Sequence, residues 1–198
     1  GIRVAYLIRT DRVSLHLRGR TEFDSPAELE MRDGEAHLKQ NPARVDPANP
    51  AYQLSRIPLA VEYSFNNTTI IQVNMHSTSR RADDPLWGRY QPPAENSGRK
   101  REMQHRPVAA FWQGASSLYP NVAFIAGGDL NADGWEHSIR LFSDAGLVDL
   151  AEAGLPSGAN FTHYYPGAGH YRSYDHLFSS PALAANAEIE ILHLNSGL

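Results

Sequence analysis

The run Asn121-Val122-Ala123-Phe124-Ile125 passes without a break into Ala126-Gly127-Gly128-Asp129-Leu130-Asn131-Ala132. The apolar part reads as a buried strand. The glycine pair lets the backbone turn where a Cβ would obstruct it. If extended geometry continues, Asp129 and Asn131 share one side and Leu130 returns to the core. A carboxylate and a carboxamide at the end of a buried strand are costly unless they bind something. One use is an acid for a hard cation or a water, with an amide for a phosphate oxygen. The other reading is an Asx-turn that ends the strand. Both stand on these residues alone.

The remaining chain is read around this strand. Ile2–Ile8 alternates and predicts a strand; Thr10-Asp11-Arg12 turns it into a second strand, Val13–Leu17. From Gly19 to Leu54 the pattern dissolves among breakers such as Asn41-Pro42 and Asp46-Pro47, which predicts a long connection on a binding face or a surface insertion. Arg56–Phe65 and Thr69–Met75 flank Asn66-Asn67-Thr68 and predict a hairpin, with Leu59, Val61, Tyr63 and Phe65 on one side. His76 closes the return strand, where a lone histidine is either catalytic or simply a surface group.

After a loop over 80–98, Val108, Phe111, Trp112, Ala115 and Leu118 fall on one face of a helix that Pro107 interrupts or begins. Asp133 is placed to cap a second helix reaching about Ala145, with Trp135, Ile139 and Phe142 inward and Gly146 as its stop. Short strands follow at Leu147–Leu150 and Phe161–Tyr165, and a turn at Pro166–Gly169. Tyr171–Ser180 then alternates Tyr174, His176 and Phe178 against Asp175, Leu177 and Ser179. A buried Asp175 needs a partner, either Arg172 or a histidine that it orients. Pro181–Ala184 makes a helical turn, and Ala187–Leu194 alternates as a last strand. This order predicts an α+β fold with mainly antiparallel sheet: a two-layer β-sandwich flanked by helices, in a single domain over 1–198.

Composition narrows the classes. With 198 residues, 41% of them apolar and 20% charged, the chain supports one folded domain with a core. A net charge of −4 argues against a general electrostatic grip on nucleic acid, while Arg80, Arg81 and Arg99–Arg101 form local basic patches. The absence of cysteine excludes disulfides and thiolate metal sites. No apolar run has the length of a membrane span, and no secretory leader is apparent at Gly1-Ile2-Arg3-Val4.

Taken together, the Arg56-Ile57-Pro58-Leu59 strand start, the strand ending in His76, Gly128-Asp129-Leu130-Asn131, and Tyr174-Asp175-His176-Leu177-Phe178 followed by Ser179-Ser180-Pro181 resemble the endonuclease/exonuclease/phosphatase superfamily. The order and spacing are family-like across nearly the whole chain. The Asp83–Pro93 loop resembles a bacterial branch of extracellular nucleases, which implies an extracellular or periplasmic location.

The resemblance implies a deoxyribonuclease-like fold and a phosphodiester hydrolase, a nuclease first and a lipid or small-molecule phosphodiesterase second. It implies a divalent cation: magnesium, with calcium or manganese as alternatives. His76 would stand beside the scissile phosphate and Asp129 would hold the attacking water or the metal. Asn131 would orient the phosphate, and Asp175 would hold a catalytic histidine. Arg56, Asn74 and Arg80 are the substrate-binding candidates. The departures are equally specific. The family's metal-binding Glu of a Gln-Glu pair and its late Ser-Asp-His are not found, Met75 stands where the bacterial branch has Asn, and His176 occupies an aromatic-or-His position. The expectation is therefore a domain truncated at both ends, weakly active or inactive by itself, with another copy covering missing strands. A non-catalytic module that binds phosphate or a partner is the alternative.

Overall fold

The computed structural model describes residues 2–19, 22, 24–85, 87–165 and 169–194. Eleven strands and four α-helices follow in chain order. The first half carries β1 (Ser14–Leu15), β2 (Leu29–Arg32), β3 (Glu35–Leu38), β4 (Ala43–Arg44), β5 (Leu59–Phe65), β6 (Thr68–His76) and helix α1 (Asn96–Leu118). The second half carries β7 (Ala123–Asp129), α2 (His137–Asp144), β8 (Val148–Asp149), α3 (Leu150–Gly154), β9 (His163–Tyr165), β10 (His170–Arg172), β11 (Asp175–Ser179) and α4 (Pro181–Ala184).

One mixed sheet of seven strands organises the molecule, in the order β1-β5-β6-β7-β11-β8 with β4 also on β5. Every pairing is antiparallel except β6 with β7, which run parallel. The β6–β7 crossover is the loop and helix α1, as a parallel pair requires. The β5–β6 hairpin turns on Asn66 and Asn67, with φ of 47° and 61°, the left-handed pair that suits a tight hairpin.

One face of the sheet is packed by α1 and α2. Ile71, Val73 and Met75 of β6, Phe124 and Ala126 of β7 and Phe178 of β11 meet Val108, Trp112, Ile139 and Phe142 in one buried cluster. Phe142 and Phe178 stack with centroids 4.6 Å apart; burying each such ring contributes about 2–3 kcal/mol. The opposite face carries Leu59, Val61, Tyr63 and Phe65, as their alternation predicts. It is crossed by the segment before β1: the Tyr6 hydroxyl donates to the carbonyls of Leu59 and Gln72, at 3.2 and 3.0 Å, and the Asn74 amide donates to the Ala5 carbonyl at 2.9 Å.

Several expectations are corrected here. The described residues contain one principal sheet and two separate hairpins, β2–β3 and β9–β10, rather than two sheets face to face. Ile2–Ile8 and Ala187–Leu194 are not strands. Both alternate in hydropathy, but neither lies along a hydrogen-bonding edge of the sheet, and alternation without a neighbouring strand does not make one. The long connection over 19–54 contains the β2–β3 hairpin, turning at Asp33-Gly34 with both φ positive. Helix α1 runs through Pro107 without a break, because the ring leaves only the Met103 carbonyl short of a donor, on the exposed side. Helix α2 starts at His137 with Glu136 as its cap, so Trp135 stays outside, 57% exposed. The turn expected at Pro166–Gly169 falls mostly outside the described residues, as does Asn195–Leu198 where a Ser-Asp-His would be due.

Candidate active site

Register brings the distant polar residues together. His76 ends β6 opposite Asp129, which ends β7, and Asp129 faces Asp175, the first residue of β11. All three side chains share the face away from α1 and α2, since Met75, Phe178 and His176 take the buried side. They form a row across adjacent strands at one end of the sheet. The approach of these strands depends on the glycine pair. A Cβ at Gly127 would lie 2.4 Å from the His176 carbonyl, and one at Gly128, where φ is +133°, would lie 2.1 Å from the Met75 carbonyl.

Asp129 divides its oxygens. Oδ1 accepts the Asn131 backbone N–H at 3.1 Å, which is the Asx-turn reading realised, and Oδ2 stands 3.4 Å from His76 Nε2. Asn131 adopts φ 52° and its side-chain amide donates to the Ser77 carbonyl at 3.3 Å. Leu130 between them is fully buried, as expected. Thus the strand-end turn and the candidate binding group are the same structure.

Arg56 settles the state of His76. Its Nη2 lies 2.6 Å from His76 Nε2. A guanidinium has only donors, so Nε2 accepts and the ring is neutral. The close approach of Asp129 is therefore not an ion pair in this arrangement. Burial and the Arg56 charge push the imidazole below its ordinary pKa, against the pull of Asp129 and Asp175. Burial, with the Asp129 charge adding to it, raises the Asp175 carboxyl above its ordinary value, although a Thr162 hydrogen bond opposes this. The Arg56 Nε is buried without a partner, leaving a donor beside the row for an anion. Asn74, two residues before His76 on the same face, is engaged with Ala5.

Arg80 is not with this group. Its guanidinium pairs with Glu136, stands 3.7 Å from Asp133 and lies over the Tyr174 ring at 5.6 Å. The same carboxylates hold Arg101, which bonds Glu136 at 3.1 Å, and Arg172, which bonds Asp133 at 3.3 Å. This alternating chain of charges anchors the loop after Asn131 to α1 and β10. Arg172 accordingly does not pair with Asp175, and Arg101, 1% exposed, is not a surface cation for a polyanion.

Two buried histidines support the row from below. His105 donates from Nδ1 to the Ser138 carbonyl at 3.0 Å and accepts from the Ser77 hydroxyl at 2.8 Å; burial drives its pKa down to about 4. Ser77 in turn donates its N–H to the Asp129 carbonyl. His176 points Nδ1 at Asp149, 2.7 Å away, and Nε2 at the carbonyls of Ala132 and Ser173. Acceptors face both nitrogens, so the ring is an imidazolium. Burial by itself would lower its pKa, but Asp149 and the two carbonyls carry it above the ordinary value. It ties the Asn131 loop to the residues before Asp175. Sequence spacing alone could not show Asp149 as its partner, since they are 27 residues apart.

No family model matches the chain, and none of the curated proteins matches it. Solved structures do. A humanized D. rerio TDP2 matches with a TM-score of 0.53 at 17% identity, over 88% of this chain and 55% of that one. Beta toxin from Staphylococcus aureus matches at 0.51 and 14% identity, over 87% and 64%. A mannosyl-6-phosphatase from Bacteroides thetaiotaomicron matches at 0.50 and 16% identity, over 88% and 55%. At these identities the likeness is one of fold, and the chain spans only 55–64% of the length of those structures.

Proposed function

We propose that the chain is the phosphate-handling part of a metal-dependent phosphodiester hydrolase, a nuclease of the endonuclease/exonuclease/phosphatase type. The observation that carries this reading is the register of His76, Asp129 and Asp175 on adjacent strand ends. Asn131 and Arg56 stand at its edge. The shared fold of the phosphatase and beta-toxin structures and the motif resemblance point the same way. A location outside the cytoplasm, extracellular or periplasmic, is proposed from that resemblance.

The donor set fits a hard divalent cation as one open corner. Two carboxylates, Asp129 and Asp175, face each other in register, and the Asp129 charge adds to the cost of ionising Asp175. Magnesium commonly uses one or two carboxylates, keeps several waters and takes its remaining oxygens from substrate phosphate. Among the described residues no group of three or more His, Cys, Asp or Glu is arranged to hold an ion, so the protein would offer an ion these two carboxylates and leave its other positions to water and substrate. When bound, such a cation neutralises charge on the phosphoryl oxygens. Arg56 supplies fixed positive charge and the unpartnered Nε–H to the same oxygens. Asn131 orients them through its carboxamide. His76 can take a proton from water at Nε2 once the Arg56 N–H turns from that nitrogen to a phosphoryl oxygen, and can then return it to the leaving oxygen.

The test uses the 198-residue chain. Manganese is expected to broaden the His76 imidazole NMR signals in the wild type and not in Asp129→Ala. Slow manganese- or magnesium-dependent hydrolysis of a nitrophenyl phosphodiester should disappear in the same variant. Absence of broadening in the wild type would refute the assignment.

A further inference from the structure

A cavity of about 370 Å³ opens beside Asp175, and the roles assigned above leave it unused. Its walls come from the loop after Asn131, from α3, and from the β9–β10 hairpin with the residues around it. Trp135, Phe161 and Tyr171 supply aromatic surface. Trp135 is 57% exposed and Tyr171 52%, a large apolar area to leave in water beside a polar site. Phe161 and Tyr171 are held in place by other rings. Tyr171 lies 4.4 Å from Phe161 and 4.7 Å from Tyr164, and Phe161 stacks on His193 at 3.7 Å. Thr162 joins the hairpin to the row, since its hydroxyl accepts the N–H groups of Tyr174 and Asp175 at 3.1 and 3.0 Å.

The charges in the lining exclude one kind of ligand and favour another. Asp133 is matched by Arg80 and Arg172, and Asp149 by His176. Among the described residues Glu152 and Asp175, which also line the cavity, form no ion pair. The lining is therefore net acidic and would repel a second anion. Arg172 nevertheless keeps a buried Nε without a partner. That acidic balance alone would suit a cation, but a simple cation has no acceptor for the Arg172 N–H; a flat group with N–H donors for the carboxylates and an acceptor for the guanidinium meets both demands. A nucleobase has those properties: aromatic side chains take its faces and polar side chains its edge.

We propose that this cavity receives the base of a nucleotide whose phosphate lies at the His76–Asp129–Asp175 row, which makes single-stranded polynucleotide the substrate class. The assignment of the phosphate rests on the function proposed above; the base pocket is a separate observation. Bases inside a duplex are already stacked and cannot present a face to Trp135 or Tyr171 without leaving the helix.

The indole of Trp135 reports on it. In a Trp87→Phe background Trp135 is the exposed tryptophan, since Trp112 is buried. Cytidine, CMP and a short single-stranded oligodeoxycytidine are expected to quench it, the last most strongly. Ribose 5-phosphate, phosphocholine and phosphatidylcholine vesicles are expected not to. Tyr171→Ala should weaken CMP binding on the order of ten-fold, with thermal unfolding checked to show that the variant folds. Equal quenching by ribose 5-phosphate or phosphocholine, a response to vesicles, or no response to cytidine and CMP would each overturn the proposal; a duplex that binds as well as the single strand would overturn the strand preference. Manganese broadening at His76 is measured alongside. If it persists while the base response fails, the phosphate site stands and the pocket assignment falls. The reverse result removes the phosphate site and leaves the pocket.

Discussion

Arg56 controls whether His76 can carry a proton. With the guanidinium donating to Nε2, the ring stays neutral; without it, the Asp129 carboxylate stands 3.4 Å from Nε2. Arg56→Met is therefore expected to raise the His76 pKa, read from the pH dependence of its imidazole NMR shifts; an unchanged or lowered value would contradict the geometry. His105 makes a second claim on pH. Its folded pKa of about 4 lies below the 6.5 of an unfolded histidine. Between those values the unfolded chain binds the extra proton, so stability from this group rises with pH across the window and is lost as pH falls through it. The difference corresponds to roughly 3 kcal/mol. Denaturation midpoints from pH 4 to 7 should show that slope, and His105→Gln should flatten it. His176 acts with the opposite sign: its raised pKa gives stability that is complete below the unfolded value and declines as pH rises through the folded one.

At the scale of elements, the glycine pair in β7 is where strand geometry and chemistry meet. Gly127→Ala or Gly128→Ala would push a methyl into the backbone of β11 or β6. Each is expected to lower stability by about 2–4 kcal/mol, measured by urea denaturation. Gly114→Ala in α1 is the contrasting case. Its new Cβ meets only Leu29 Cδ1 at 3.7 Å, so a gain of about 0.5–1 kcal/mol is expected. The glycine pair, the β5–β6 hairpin and the strand ends at His76 and Asp129 were legible because local signals define them: an apolar run, a turn pair, a polar terminus. The β2–β3 hairpin has such a signal in Asp33-Gly34, but the surrounding prolines and asparagines obscure it. The partners of Arg80 were hidden for a different reason. It lies just past the β6 end, and the loop that holds it through Asp133 and Glu136 is distant in sequence. The aromatic cavity was likewise invisible, because Trp135 on a helical period reads as core until the helix is seen to begin at His137.

For the whole molecule, the uneven covering of the sheet is the main physical fact. Helices pack one face, while the extended segment before β1 crosses the other through Tyr6. Tyr6→Ala removes the hydroxyl that bonds Leu59 and Gln72 and uncovers part of Val61, Tyr63 and Phe65. It is expected to lower the denaturation midpoint and to promote self-association, visible as a mass increase in light scattering after size exclusion; a stable monomer of wild-type midpoint would show that Tyr6 does not guard the face. No described helix is long and apolar enough to cross a membrane.

The single parallel pairing in the sheet has a further consequence. Because β6 and β7 travel in the same direction, the linkers leaving both of them emerge on the same side of the molecule, and the linker entering β11 arrives there too. The segments that would choose a substrate can thus lengthen, shorten or exchange side chains while their anchor points stay fixed by backbone bonds they do not share. A lineage could reshape this end of the molecule by rewriting connectors alone, leaving His76, Asp129 and Asp175 at the strand ends untouched.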